Sequence, residues 1–308
     1  MQITVVGAGV TGLVTALTLQ ERGHDVQVVT AATGEAITSS VAGACWFPYR
    51  AGPPDRVAAW AAETRAWLTT LAAEPGARDA GVAVITGYEI TEPPPGDAPP
   101  WWAAHITVDR APAPVTGAPL AWRYGSLGIE PARFLPWLAR RLARPIEHRA
   151  VTDLDAEPGD LVVHCTGLAA HALTGDRELQ PLLGQVVITE PGAIDGSFTV
   201  TDERDPAAMF YLIPRSRELV LGGCSIPWPA DAPLPDEDPA LTARILAQAA
   251  ALGLAVGPVK RVRLGLRPYR PEIRLERTGR VIHNYGHGGA GYTLCRGCAE
   301  AVAALATA

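Results

Sequence analysis

The chain has 308 residues, enough for one large α/β domain or two smaller ones with a substantial core. Hydrophobic residues make up 48% of it and charged residues 19%, which excludes a disordered chain. The net charge of −6, without a basic cluster, argues against nucleic-acid binding, which needs positive charge to replace counterions. Lys260 is the only lysine, so the chain has no G-x-x-x-x-G-K-[ST] phosphate loop for nucleotide hydrolysis.

The five cysteines favour a reducing, cytoplasmic location, because their number is odd and their spacing does not suggest a disulfide framework. The N-terminal stretch carries no charge before Glu21. It also lacks a basic start, and its glycines and threonines weaken a transmembrane interpretation. We therefore expect a buried strand and helix there, and no membrane partner.

The first elements form a βαβ unit. Residues 3–6 are an apolar, β-branched run typical of a buried parallel strand. A glycine turn at residues 7–12 follows, and residues 10–22 have helical spacing, with Gly23 in the position of a C-cap. Residues 25–30 alternate as a second strand.

The remaining elements indicate an antiparallel sheet inserted into a cofactor-binding half. Helices are predicted at residues 58–73, 131–143, 239–252 and 293–306, and a proline-rich loop at 93–100. Strands are predicted at residues 161–165, 185–189, 198–201, 210–214, 218–221, 259–266 and 281–284. In the strand 259–266, Arg261, Arg263, Gly265 and the following Arg267 share one face.

The glycine turn carries the first functional motif. It fits G-x-G-x-x-G and consists of Gly7, Ala8, Gly9, Val10, Thr11 and Gly12. The glycines allow a tight turn, close approach of a pyrophosphate and close helix–strand packing, while the helix N-terminus attracts the phosphate charge. The alternative is an ordinary strand–helix turn, but the position between a strand and a helix favours dinucleotide binding.

The acidic residue that should end the second strand and bind the ribose hydroxyls is missing. Thr30, Ala31 and Ala32 stand there, and the Thr30 hydroxyl can make one hydrogen bond but not a bidentate contact. No arginine follows nearby in the sequence, so NADP is not favoured.

A zinc site is a weaker hypothesis. His283, His287, Cys295 and Cys298 are suitable ligand types. A glycine-rich turn and a helix start separate the two pairs, however, and both cysteines lie one turn apart on that helix. We expect buried small residues and no metal.

Whether Arg267 and Tyr211 have a functional or only a structural role depends on the motifs around them. Prolines at 268 and 271 would hold Arg267 at a strand end, where a rigid guanidinium suits bidentate capture of a carboxylate. A lone arginine is more often a surface ion pair, and a strand tyrosine such as Tyr211 usually serves packing.

Long motifs decide between these interpretations. Residues 265–276 (GLRPYRPEIRLE) and 283–293 (HNYGHGGAGYT) closely resemble the G-[FL]-R-P-x-R-P-x-I-R-L-E and H-N-Y-G-H-G-G-x-G-x-T segments of D-amino-acid oxidases. Residues 41–49 (VAGACWFPY) and 163–168 (VHCTGL) are similar to two further segments of that family. The matches follow the family order along the whole chain.

The resemblance implies an α/β fold with a Rossmann-like FAD-binding domain and an inserted antiparallel-sheet substrate domain. The FAD-binding domain would comprise residues 1–45, 126–180 and 265–308, and the substrate domain residues 46–125 and 181–264. It also implies oxidation of a D-amino acid by FAD and O₂ to an imino acid, which hydrolyses to a 2-oxo acid and ammonia, with hydrogen peroxide as the second product.

The resemblance also assigns residues. Arg267 would bind the substrate carboxylate, Tyr211 would hydrogen-bond the substrate, and the Gly289 carbonyl would accept from the amine. FAD contacts beyond the glycine turn and Thr30 would come from Thr38, Ser39, Gly43, Ala44, Cys45, Leu168, Gly288, Gly289, Gly291, Tyr292 and Thr293.

Two departures from the family pattern stand out. Vertebrate members have a second tyrosine four residues before the first, and here that position is Ala207 in an apparently shortened loop. They also carry an acid and an arginine where Ala31 and Ala32 stand, so FAD affinity could be lower here.

The substrate pocket is predicted to be apolar, with Phe47 and Ile213 among its lining residues, which favours neutral, hydrophobic D-amino acids over D-aspartate. Two alternatives stay open. One is a related FAD amine oxidase acting on glycine, D-aspartate or a biosynthetic amino acid, and the other is a dinucleotide-binding protein without turnover. The sequence also leaves a homodimer open.

Overall fold

The computed structural model describes residues 1–92, 96–205 and 207–307. Residues 93–95 of the predicted proline-rich loop therefore lie outside the described residues, as does residue 206 in the loop that precedes Tyr211. The strands are β1 Gln2–Val6, β2 Asp25–Thr30, β3 Val82–Ile90, β4 Val108–Pro112, β5 Leu120–Ile129, β6 Glu147–His148, β7 Leu161–His164, β8 Gln180–Thr189, β9 Phe198–Asp202, β10 Phe210–Pro214, β11 Leu219–Gly222, β12 Ile226–Pro227, β13 Val259–Thr278 and β14 Val281–His287.

The α-helices are α1 Val10–Glu21, α2 Thr38–Val41, α3 Pro54–Ala73, α4 Ala77–Ala80, α5 Pro131–Ala139, α6 Ala170–Thr174, α7 Pro239–Ala251 and α8 Gly291–Thr307. Local sequence explains several of their ends. Pro239 stands in the first turn of α7, and the Asp238 carboxylate accepts from the Ala240 and Leu241 amides, which satisfies two otherwise free donors.

One continuous sheet runs through the described residues in the order β4-β5-β3-β9-β10-β11-β8-β13-β14-β7-β1-β2-β6, with β12 paired to β8. The end from β14 to β6 is parallel, as expected of a βαβ cofactor half. The other end is mainly antiparallel, with β3 and β9 as a parallel pair. The mixed α/β architecture agrees with the predicted fold class, whereas the domain boundaries stay a prediction.

The long strand β13 joins the two ends of the sheet. Its first part, up to Tyr269, pairs with β8, and its last part, from Arg274 to Thr278, pairs with β14. The predicted strand end at Arg267 is therefore wrong. Pro268 and Pro271 do not end the strand, because a break in the β14 register between Tyr269 and Arg274 takes up the irregularity.

The hydrophobic core is divided in the same way as the sheet, with one cluster at the parallel end and one at the antiparallel end. The larger cluster packs α1, α3 and α8 around the parallel strands, and it includes fully buried Val5, Leu19 and Leu294. A second cluster packs α7 against the antiparallel strands through Leu212 and Ile245, among others.

Five of the described strands were not predicted, namely the two-residue strands β6 and β12 and the longer strands β3, β4 and β5. Their residues alternate poorly, and Gly87 in β3 has no side chain because the Tyr124 ring of β5 occupies that space. Among the described residues, no helix combines the length and apolarity that a membrane span requires.

Candidate active site

The glycine turn lies at the carboxyl end of β1, in the middle of the parallel strands. Gly7 has φ +113°, its N–H donates to the Val29 carbonyl at 2.8 Å, and a Cβ there would overlap the Cys165 carbonyl. A Cβ on Gly12 would overlap the Gly7 carbonyl. The turn therefore needs these glycines to bring the start of α1 close to the strand ends.

The start of α8 lies beside the start of α1. The Gly288 N–H donates to the Pro268 carbonyl at 2.8 Å, and the Tyr292 hydroxyl donates to the Ser39 carbonyl at 2.8 Å. The Ser39 hydroxyl in turn accepts from the Val10 N–H at 3.0 Å. These bonds join the two ends of the chain, so both helix N-termini point toward one cavity.

This cavity has a volume of about 650 Å³, within the range of small-molecule and cofactor sites. It extends from the glycine turn to Arg267. The predicted site residues that line it are Gly7, Ala8, Gly9, Val10, Thr11, Thr30, Thr38, Ser39, Gly43, Ala44, Cys45, Phe47, Leu168, Tyr211, Ile213, Arg267, Gly288, Gly289, Gly291 and Tyr292.

Two predicted cofactor residues do not line the cavity. Gly12 packs against the strand, and Thr293 is buried. The Thr293 hydroxyl donates to the Phe47 carbonyl at 2.8 Å and accepts from the Phe47 amide at 3.1 Å. It fixes the segment that carries Phe47, and its contact with a cofactor stays a prediction.

Arg267 lies near the seam between the two parts of the sheet, opposite Leu182 of β8. Its guanidinium occupies the space over Gly184, where a Cβ would stand 2.5 Å from Nη1. Nη1 donates to the Cys224 carbonyl at 3.0 Å. The guanidinium is thus held in the cavity by one main-chain hydrogen bond and by the space over Gly184, and it has no carboxylate partner among the described residues.

Tyr211 lies next to this guanidinium. Its ring fills the space over Gly222, its cross-strand partner on β11. Burial raises the pKa of the Tyr211 hydroxyl, against the opposing effect of the Arg267 charge. The hydroxyl therefore stays protonated at neutral pH and can donate a hydrogen bond.

Tyr49 is a site residue that the sequence analysis missed. It lines the cavity beside Gly289, and its hydroxyl donates to the Met209 sulfur at 3.3 Å. Burial raises the pKa of the Tyr49 hydroxyl, while Arg50 and Arg267 oppose the shift. The sequence feature that could have identified Tyr49 is its position at the end of the motif at residues 41–49.

Arg149 is a second missed residue, at the opposite end of the cavity beside Ala31 and Ala32. No arginine stands close to Ala31 and Ala32 in the sequence, but β6 pairs with β2 and brings Arg149 there from a distant part of the chain. Its guanidinium is already bonded to Glu157 at 2.6 and 2.7 Å and to Glu147 at 2.7 Å. The Thr30 hydroxyl is also engaged, donating to the Ala32 carbonyl at 2.9 Å.

The four residues of the zinc hypothesis do not converge. His283 Nδ1 lies 3.1 Å from Nδ1 of buried His164, whereas Cys295 and Cys298 are buried in the core with α8. In the part of the chain that the structure describes, no group of three or more histidine, cysteine or acidic side chains could hold a metal.

A buried carboxylate lies behind the aromatic wall of the cavity. Glu89 accepts from the Trp102 indole at 3.2 Å, and Trp102 packs edge-on against Phe47. Burial raises the pKa of Glu89 to about 7, and the charge of Glu203 contributes in the same direction. Since the ordinary pKa is 4.5, ionisation of Glu89 opposes folding increasingly between pH 4.5 and 7 and fully above pH 7.

We expect Glu89→Gln to stabilise the protein at pH 8 by up to about 3 kcal/mol and to have little effect at pH 4.5. The amide keeps an acceptor for Trp102 and carries no charge. Thermal unfolding at both pH values measures the difference. Glu272→Gln, which removes an exposed carboxylate, is the control, and an equal gain at both pH values would contradict the explanation.

Comparison with known proteins shows the family of the chain. The family model for FAD-dependent oxidoreductases matches residues 2–305. A D-amino-acid oxidase of Streptomyces coelicolor is 38% identical over an alignment of 318 positions, which covers 99% of this chain and 97% of that protein. A D-amino-acid oxidase of Rubrobacter xylanophilus is 39% identical, covering 99% and 95%.

More distant proteins share the fold. Human D-aspartate oxidase is 30% identical, covering 99% of this chain and 94% of that protein. The crystal structure of glycine oxidase from Bacillus cereus superposes with a TM-score of 0.75 at 19% identity, covering 99% and 94%. The resemblance inferred from the motifs is thereby confirmed, as is FAD as the cofactor: the chain belongs to the FAD-dependent oxidoreductase family that includes the D-amino-acid oxidases.

Proposed function

We propose that this enzyme is a D-amino-acid oxidase, which converts D-amino acids to 2-oxo acids and ammonia and reduces O₂ to hydrogen peroxide. The observation that carries the proposal is the position of Arg267. Its guanidinium lies in the same cavity as the glycine turn, with no carboxylate partner among the described residues, so it can receive the carboxylate of an amino acid.

The residues present fit FAD. The glycine turn and the starts of α1 and α8 offer donors for a pyrophosphate at one end of the cavity. Two cavity-lining side chains have buried polar atoms without a partner in the described chain, Asn284 Oδ1 and His287 Nε2. Buried polar atoms are normally satisfied, so they are consistent with a polar ligand alongside.

When bound, FAD would supply the acceptor for a hydride from the substrate Cα and the route by which the electrons reach O₂. The protein's contribution is orientation. Arg267 binds the carboxylate, the Gly289 carbonyl accepts from the amine, and the Tyr211 hydroxyl donates a third hydrogen bond. Three fixed points define the direction of the Cα–H bond, and such positioning accounts for much of the rate in reactions of this kind.

Phe47 and Ile213, which line the cavity, favour neutral, hydrophobic side chains over D-aspartate. All five cysteines are unpaired thiols, which suits a cytoplasmic location. A homodimer stays open, and sedimentation of the holoenzyme would decide it.

Anaerobic addition of D-amino acids to the yellow holoenzyme is the direct test. We expect D-alanine and D-norleucine to bleach the flavin absorbance, and peroxide to form when O₂ is readmitted. Bleaching by glycine or another amine alone would favour the related amine oxidases. The absence of bleaching by any amine would favour a dinucleotide-binding protein without turnover.

A further inference from the structure

A second cavity, of about 490 Å³, lies next to the FAD cavity. The two cavities share Met209 and Cys224 as lining residues. The other lining residues of the second cavity include Arg50, Ala207, Gly223, Ser225, Asp238 and Arg244.

The residues of the shared wall contact Arg267 and Tyr49 directly. The Cys224 carbonyl accepts from Arg267 Nη1 at 3.0 Å, and the Met209 sulfur accepts from the Tyr49 hydroxyl at 3.3 Å. A substrate whose carboxylate is bound by Arg267 therefore lies beside the wall that Met209 and Cys224 form between the two cavities. Methionine is flexible and can rearrange to admit a ligand.

The second cavity is open because the lining side chains near Met209 and Cys224 are small. Ala207 contributes only a methyl group at the position where the motif resemblance expects a tyrosine. Gly223 contributes none, and a Cβ there would overlap the Met209 carbonyl. A long aromatic side chain at Ala207 would fill part of the cavity.

The lining offers donors that have no partner. Arg244 Nη2 donates to the Gly223 carbonyl at 2.9 Å, but Arg244 Nη1 and Ser225 Oγ are buried and unpartnered within the described chain. Arg50 is exposed and has φ +42°, a left-handed conformation that is uncommon outside glycine. The described residues provide it with no salt bridge, and its guanidinium lies 5.2 Å from the ring centre of Tyr49.

Two acids lie near these arginines and reduce the positive charge without removing it. Asp238 lines the cavity, but its Oδ1 is engaged by the Ala240 and Leu241 amides at the start of α7. Glu203 interacts electrostatically with Arg50 but is not a lining residue. Two guanidinium groups and a hydroxyl therefore face a space that holds a single, already engaged carboxylate.

We propose that this cavity receives the end of a long, anionic substrate side chain, with its terminal carboxylate bound by Arg50, Arg244 and Ser225. The preferred substrates then include D-amino acids with a terminal carboxylate, such as D-2-aminoadipate, besides neutral ones. This inference rests on the proposed oxidase function. It widens the expected substrate range, because the apolar residues of the first cavity and the arginines of the second lie on either side of the wall formed by Met209 and Cys224.

The first test compares kcat/KM of the holoenzyme for D-2-aminoadipate and for D-norleucine, which has a similar length and no charge. Arg50→Gln and Arg244→Gln should each lower the ratio about 10-fold, because each removes a charge-assisted hydrogen bond. Arg50→Lys should retain most of the wild-type ratio. Arg217→Gln, which removes an exposed charge from the β10–β11 turn, controls for long-range electrostatics and should leave the ratio unchanged.

A second variant fills the space and keeps the charge. Ala207→Tyr should lower kcat/KM for D-2-aminoadipate relative to D-alanine by about 10-fold or more, because overfilling a packed cavity excludes the longer ligand. An unchanged ratio in both this variant and Arg50→Gln would overturn the proposal. If the wild-type enzyme oxidises no D-amino acid at all, the proposed function is refuted instead.

Binding without turnover gives an independent readout. Titration calorimetry of the holoenzyme with adipate, which has two carboxylates, should give a Kd about 10-fold lower than with hexanoate, which has one. Arg50→Gln should abolish that difference. Equal affinity of the wild-type enzyme for both acids would overturn the second carboxylate site even if the enzyme oxidises D-amino acids.

Discussion

Replacement of Arg267 by alanine is expected to raise the KM for D-alanine about 100-fold, because the substrate carboxylate would lose a charged, hydrogen-bonded partner in a partly buried site. Turnover should also fall. Without the carboxylate fixed, the Cα–H bond is no longer held in the reactive direction, and orientation is the main contribution of the protein. Steady-state kinetics with peroxide detection would measure both parameters.

Arg267→Lys separates charge from geometry. Lysine keeps the positive charge but loses the planar fork that matches a carboxylate, so it should recover only part of the affinity. Arg217→Gln, in an exposed turn, should behave as the wild type. Wild-type kinetics of Arg267→Ala would exclude the carboxylate clamp, provided that its FAD content is unchanged.

Gly184→Ala is expected to lower kcat/KM by about 100-fold, although residue 184 bears no functional group. A Cβ there would stand 2.5 Å from Arg267 Nη1 and 2.6 Å from the guanidinium carbon, so the guanidinium must move. A displacement of about 1 Å at a positioning group can have an effect of this size.

The change should appear mainly in the kinetics, with FAD content and thermal stability close to those of the wild type. Gly96→Ala is the matched control, because nothing lies within 4 Å of a Cβ at that position. If Gly184→Ala keeps normal kinetics, Arg267 has room to bind substrate in another conformation.

Motif chemistry was sufficient to identify much of the site. The glycines at 7, 9 and 12 are required by backbone geometry that few other residues tolerate, so their spacing is informative without a structure. The same holds for the glycine turn before α8. The long match at residues 265–293 then identified the FAD-dependent family and predicted Arg267 as the carboxylate-binding residue.

Sequence patterns could not show which distant residues meet. Arg149 reaches the end of the cavity near Ala31 because β6 pairs with β2, and no local pattern encodes that pairing. Strands β3 and β5 were missed because the fit between a glycine and a ring, as between Gly87 and Tyr124, replaces regular alternation. The prolines after Arg267 suggested a strand end, but β14 on one side and β8 on the other hold the strand together.

The sequence by itself determined the βαβ unit, the dinucleotide turn and the family, because those depend on local backbone requirements and on contiguous motifs. Only the tertiary structure decided that Gly184 and Gly222 make room for Arg267 and Tyr211, that Tyr49 joins them, and that Ala207 opens onto a second, charged cavity. These features depend on which side chains from separate strands pack against one another. The order of residues in the sequence does not show that packing.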